Sequence, residues 1–135
     1  MTRKYLDDLT YKIIGAAIEV HKVLGPGQLE SVYHKCMELE LKLRGISFQT
    51  EKVVEIVYKG TTVNAELRCD LLVEDAIVVE LKAVQEILPV HKAQILSYMN
   101  LLEKPKGILI NFNVTNIYNE GQQTFVNKIF ERLND

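Results

Sequence analysis

Residues 76–81 read Ala-Ile-Val-Val-Glu-Leu, directly after a polar Glu74-Asp75 pair. Ile77, Val78 and Val79 are apolar at odd and even positions alike, so a strand built from them has no face to give to water. Such a strand belongs in the middle of a sheet, with other layers packed against it. The flanking sequence is well suited to supply them. Leu6, Leu9, Ile13, Ala17, Val20 and Leu24 recur near the helical period, which predicts a helix over 6–24, capped by Asp7 or Asp8. Gly25-Pro26-Gly27 stops it, and Leu29, Val32, Tyr33, Cys36, Leu39 and Leu43 mark a second helix over 29–44, ended by Gly45. A link this short predicts a helical hairpin or corner.

From Ile46 the period changes. Alternating β-branched residues run to Tyr58, Lys59-Gly60 turns the chain, and Thr61–Val73 is a second strand before the central one. Pro89 opens a helix to about Leu102, and Lys104-Pro105-Lys106-Gly107 reads as a solvated loop. Ile108–Phe112 is a buried strand. Residues 116–126 read as a hairpin turning at Asn119-Glu120-Gly121, and 128–133 as a short last helix. The order ααβββαβ(ββ)α predicts an α/β fold, a mixed central sheet flanked by helices. A length of 135 residues fits one domain over 1–135.

Two strands carry charge where apolar residues belong. Asp70 lies among Leu67, Leu71 and Leu72. Glu80 follows Ile-Val-Val, and Lys82 lies two residues on, projecting from the same face by strand alternation. Buried charge is costly unless it is paired or bound to metal. Antiparallel pairing of the two strands brings Asp70 beside Glu80. Two carboxylates with a backbone carbonyl, that of Leu81, make a hard oxygen site suited to Mg²⁺ or Mn²⁺. A structural ion pair is the competing reading. Arg68, two residues before Asp70 and on the same face by alternation, is a candidate to contact phosphate or to hold a carboxylate.

Asp70 followed by Glu80-x-Lys82 resembles the core motif of the PD-(D/E)XK nuclease superfamily. Gly27-Gln-Leu-Glu30-Ser-Val-Tyr33 resembles the motif that names the GxxExxY family, which is placed in that superfamily. Arg68-Cys-Asp70-Leu-Leu-Val, Val79-Glu80-Leu-Lys82-Ala-Val, Pro89-Val-His91-Lys-Ala-Gln94-Ile-Leu-Ser-Tyr98 and Ile110-Asn111-Phe112 are similar to it in the same order, over roughly residues 8–127. The resemblance implies a restriction-endonuclease-like core. It implies Asp70 and Glu80 as metal ligands, with Glu30 completing the metal shell. Lys82 matches the lysine associated with the hydrolytic water. Gln94 and Tyr98 match a Gln-x-x-x-Tyr signature, four apart and so on one helical face. Cys69 stands where the superfamily often has Pro.

Other residues have two readings. Tyr33 and Tyr98 are read as core aromatics with anchored hydroxyls, with substrate contact the alternative for Tyr98. His91, one helical turn before Gln94, is a candidate ligand or base, against a surface or capping role. Cys36 and Cys69 fit a disulfide framework poorly and read as small apolar residues. A net charge of −2 excludes binding to nucleic acid by blanket electrostatics. A nuclease here would need bound cations and local basic groups.

The expected function is a Mg²⁺- or Mn²⁺-dependent nuclease acting on nucleic acid, DNA before RNA. A catalytically weak nucleic-acid-binding or protein-interaction module with the same fold is the alternative. A homodimer would place two sites on a duplex. No apolar run approaches the roughly 20 residues of a membrane span, and the first residues lack the apolar stretch of a signal peptide. A cytoplasmic location is the expectation.

Overall fold

A computed structural model describes residues 1–135. The elements are α1 (Arg3–Leu24), α2 (Glu30–Leu43), β1 (Phe48–Tyr58), β2 (Thr61–Val73), β3 (Ile77–Lys82), α3 (Pro89–Leu101), β4 (Lys106–Asn111), a π-helical turn (Ile117–Gly121), β5 (Gln122–Val126) and a one-turn α4 (Lys128–Glu131). The five strands form one sheet in the order β1-β2-β3-β4-β5. All neighbours are antiparallel except β3 and β4, which run parallel and are joined through α3. The fold is α/β, a mixed sheet flanked by helices, and β3 is its central strand.

Alternation along β3 sorts the two layers. Ile77, Val79 and Leu81 join a core with Leu6, Ile13 and Ala17 of α1 and Tyr33, Met37 and Leu41 of α2. Val78 points the other way, into a second core with Cys69, Leu72, Leu109 and the α3 residues Ile95, Tyr98 and Met99. Gly107 of β4 lies directly beneath α3. A Cβ there would stand 2.7 Å from Met99 Sδ and 3.1 Å from Ile95 Cγ1. Gly107→Ala is therefore expected to lower stability by about 1–3 kcal/mol through overpacking, read as an earlier urea midpoint with an unchanged slope.

Three local expectations need correction. The cap of α1 is Thr2, whose hydroxyl accepts the Tyr5 N–H at 3.1 Å, so the helix begins one turn before Asp7 and Asp8. Residues 116–126 are not a hairpin. Glu120 N–H donates to the Asn116 carbonyl, the Asn116 side chain accepts the Asn119 N–H, and buried Ile117 anchors the resulting turn. Only 122–126 is a strand, paired with β4. Lys106 is not in a solvated loop. It is the first residue of β4, 6% exposed, with its ammonium 2.8 Å from Asp7 and over the Phe130 ring. No helix is long and apolar enough to cross a membrane.

Candidate active site

β2 and β3 pair at Val73↔Ile77, Leu72↔Val78 and Leu71↔Val79, and there the ladder stops. One step further, side chains take over. The Asp70 N–H donates to Glu80 Oε2 at 2.8 Å, and the Leu81 N–H donates to Asp70 Oδ2 at 2.7 Å. The two carboxylates cross between the strands, each holding a backbone amide of the opposite strand. This arrangement leaves one oxygen on each acid without a backbone donor, and no Lys or Arg forms an ion pair with either.

Two acids this close, in a place this dry, resist sharing two full charges. Glu80 is 4% exposed. Burial, and then the charge of Asp70, pushes its carboxyl up to about 8, although the Asp70 N–H and the charge of Lys82 pull the other way. A proton or a cation relieves that repulsion. The donor set consists of hard carboxylate oxygens with unspent capacity, and it fits a divalent oxygen-loving ion.

Lys82 ends β3, half-buried, on the side of Glu80. Leu81 contributes its N–H, and its side chain anchors the strand in the α1/α2 core. Tyr98 reaches the site from α3. Burial and then the Glu80 charge push its hydroxyl up, and Gln94 Nε2 donates to that hydroxyl at 3.1 Å. Gln94 and Tyr98 thus share one face, as their spacing of four requires.

The other candidates stand apart. Glu30 is exposed in the first turn of α2, and no three His, Cys, Asp or Glu side chains converge as a metal cage. Its helix nevertheless starts near the strand ends. The Tyr33 ring stacks on Phe112 at 4.4 Å, and the Phe112 N–H donates to the Lys82 carbonyl. Tyr33 also explains the spacing of its motif. Its hydroxyl donates to the Gly25 carbonyl and accepts the Gln28 N–H, and Gly27 takes a positive φ of 94°. The loop is thereby pinned, and Glu30 emerges where the helix begins.

His91 accepts the Leu88 N–H on Nδ1 at 3.0 Å and so serves as a cap for α3. Arg68 is exposed and unpaired. Strict alternation from Arg68 to Asp70 fails, because Cys69 and Leu72 enter the same core while Leu71 enters the other. Glu51, opposite Asp70, takes φ 48°, and the hairpin changes its facing there. Cys69 is wholly buried, and burial, with Glu80 and Asp70 beside it, pushes its thiol up to about 12, so it stays neutral.

Asn111 was not singled out as a site residue by the sequence, though it interrupts an apolar run as visibly as Glu80 does. It is 4% exposed and binds the backbone of Val84, just past Lys82.

The family model described as PD-(D/E)XK nuclease superfamily matches residues 7–124, most of the chain. No curated protein and no solved structure matches.

Proposed function

The chain belongs to the PD-(D/E)XK nuclease superfamily, and from that premise we propose that it hydrolyses phosphodiester bonds in nucleic acid, DNA before RNA, with Mg²⁺ or Mn²⁺ bound by Asp70 and Glu80. Nucleases of this superfamily generally use divalent metal ions. The same reading takes the chain as a GxxExxY-type member. The observation that carries it is the crossed pair of carboxylates at the end of the β2–β3 ladder.

Each residue has a task in this reading. Asp70 and Glu80 would hold the ion, since their backbone bonds leave carboxylate acceptor capacity unspent. An ion held there would supply Lewis acidity, making a water more acidic and offsetting negative charge on the phosphate. Lys82 orients the attacking water or offsets charge that develops on the phosphate oxygens. Gln94 fixes the Tyr98 hydroxyl near Glu80, where it is available to a substrate. Arg68, exposed and unpaired, is available to a phosphate further along the strand. With a net charge of −2 the chain has no overall attraction for a polyanion, and a bound cation would supply attraction at the site itself.

The test is incubation of the purified protein with single-stranded, nicked and branched DNA, and with RNA, plus Mg²⁺ or Mn²⁺. Cleavage by the wild type that is lost with chelator and lost in Asp70→Asn is the expected result. Cleavage that survives Asp70→Asn rejects the assignment. Salt-sensitive binding with no cleavage under any of these conditions points instead to a module that keeps the fold without the reaction.

A further inference from the structure

We propose that Asn111 is a positioning residue that sets Lys82 against the Asp70/Glu80 pair. The inference rests on the nuclease reading for its consequence, though not for its geometry.

Asn111 occupies the last position of β4, in register with Lys82 of β3. Its side chain is almost wholly enclosed, at 4% exposure of the residue. An enclosed amide is costly unless its polar atoms are bonded, and here they are. Oδ1 accepts the Val84 N–H at 3.1 Å and the Asn113 N–H at 3.2 Å, and Nδ2 donates to the Val84 carbonyl at 2.9 Å. Donor and acceptor together grip one residue, as the backbone of a neighbouring strand would. They do so two residues beyond the point where β3 ends.

Lys82 is therefore bracketed. Its carbonyl accepts the Phe112 N–H at 2.9 Å, and two residues later the chain is held by Asn111. Its own ammonium makes no hydrogen bond or ion pair that would fix it. The backbone sets where a long side chain starts and which region its end can reach, so whatever fixes residues 82–84 confines the amine to the neighbourhood of the acids. The same grip fixes the start of the segment that leads to α3, with Gln94 and Tyr98. An apolar side chain at 111 would fill the space and avoid burying an amide, but it would leave the Val84 N–H and carbonyl unpartnered and the segment free to leave the sheet. Reacting groups need placement to within about half an ångström, which loose backbone does not provide.

The experiment compares Asn111→Asp and Asn111→Ala with the wild type. The aspartate keeps size and the acceptor for both N–H groups, and places an acceptor where Val84 needs a donor. It serves if the alanine variant does not fold. With folded protein, kcat on the cleaved substrate is expected to fall about 10–100-fold, the usual cost of losing a supporting contact around a metal site. KM stays within about twofold, the split expected of a group felt in the transition state. A second readout needs no activity. In lysine-labelled protein, the ¹³Cε resonance of Lys82 (identified by its loss in Lys82→Arg) responds to Glu80→Gln in the wild type and loses that response in both Asn111 variants.

A folded Asn111→Asp protein with wild-type kcat and an intact Lys82 response overturns the proposal. So does a loss of activity with the Lys82 response intact, which would mark a general structural effect. A wild type that cleaves nothing, while Lys82 still loses its response in the variants, sinks the nuclease reading alone and supports the positional role of Asn111.

Discussion

Glu80→Gln is expected to abolish cleavage and, at the same time, to make the metal-free protein harder to melt. The two effects have one cause. Glu80 sits beside Asp70 in a buried place, and its carboxyl is pushed up to about 8 by burial first and the Asp70 charge second. Gln is an uncharged isostere that can still accept the Asp70 N–H on its amide oxygen. It removes the repulsion, and with it half of the metal's anionic donor set. The cleavage rate should fall by about 1,000-fold or more, equivalent to about 4 kcal/mol of barrier.

The sign of the stability effect follows from linkage. The folded protein holds the Glu80 proton more tightly than the unfolded chain, where the carboxyl has its ordinary value of 4.5. The stability tied to that proton is fully present below the ordinary value and is lost as pH rises through about 8. Metal-free wild type and Glu80→Gln should therefore melt alike near pH 4. The variant should gain with rising pH, reaching an advantage of roughly 10–15 °C above pH 8. Added Mg²⁺ or Mn²⁺ should reverse the order by raising the melting temperature of the wild type alone. Differential scanning calorimetry with and without chelator reads both arms. A constant offset across the pH range would mean that Glu80 is not the group responsible.

Tyr33→Ala is expected to produce the largest loss of stability of any motif substitution. The ring is wholly buried and stacked on Phe112 at 4.4 Å and 8° between planes. Removing it should cost about 3–5 kcal/mol, a fall in melting temperature of roughly 10 °C. Tyr33→Phe separates ring from hydroxyl. It keeps the stack and leaves the Gly25 carbonyl and the Gln28 N–H without their partner, for about 1–3 kcal/mol. Urea unfolding of both variants checks the order. Equal losses would show that the hydroxyl, and not the ring, holds α2 on the sheet.

Much of the fold was legible because its cause is local. The two periods in the chain, helical to Leu43 and alternating from Phe48, are set by which face each element buries. Pro89 and the Lys59-Gly60 turn, with φ of 49° and 82° at those two residues, act on their own backbone. The 116–126 stretch was misread for the opposite reason. Asn119-Glu120-Gly121 has hairpin composition, but the turn is decided by Ile117 packing in the core and by Gly121, whose Cβ would stand 2.8 Å from the Asn111 carbonyl oxygen. Lys106 looked solvated because nothing nearby in sequence reveals Asp7 and Phe130, which meet it from the two ends of the chain.

At the site, the amino-acid order alone determined which residues are anomalous. Asp70 and Glu80 are charges in strands that otherwise bury apolar side chains, and that misfit can be read without coordinates. Their crossed bonds, Glu80 to the Asp70 amide and Asp70 to the Leu81 amide, could not be read, since they depend on where the β2–β3 ladder ends. Nor could the change of facing that leaves Arg68 exposed, or the grip of Asn111 on Val84. Composition and period act through neighbours along the chain and fix each element by itself. Electrostatic repulsion, desolvation and the reach of a side-chain amide act through neighbours in space, and those exist only once the sheet has formed.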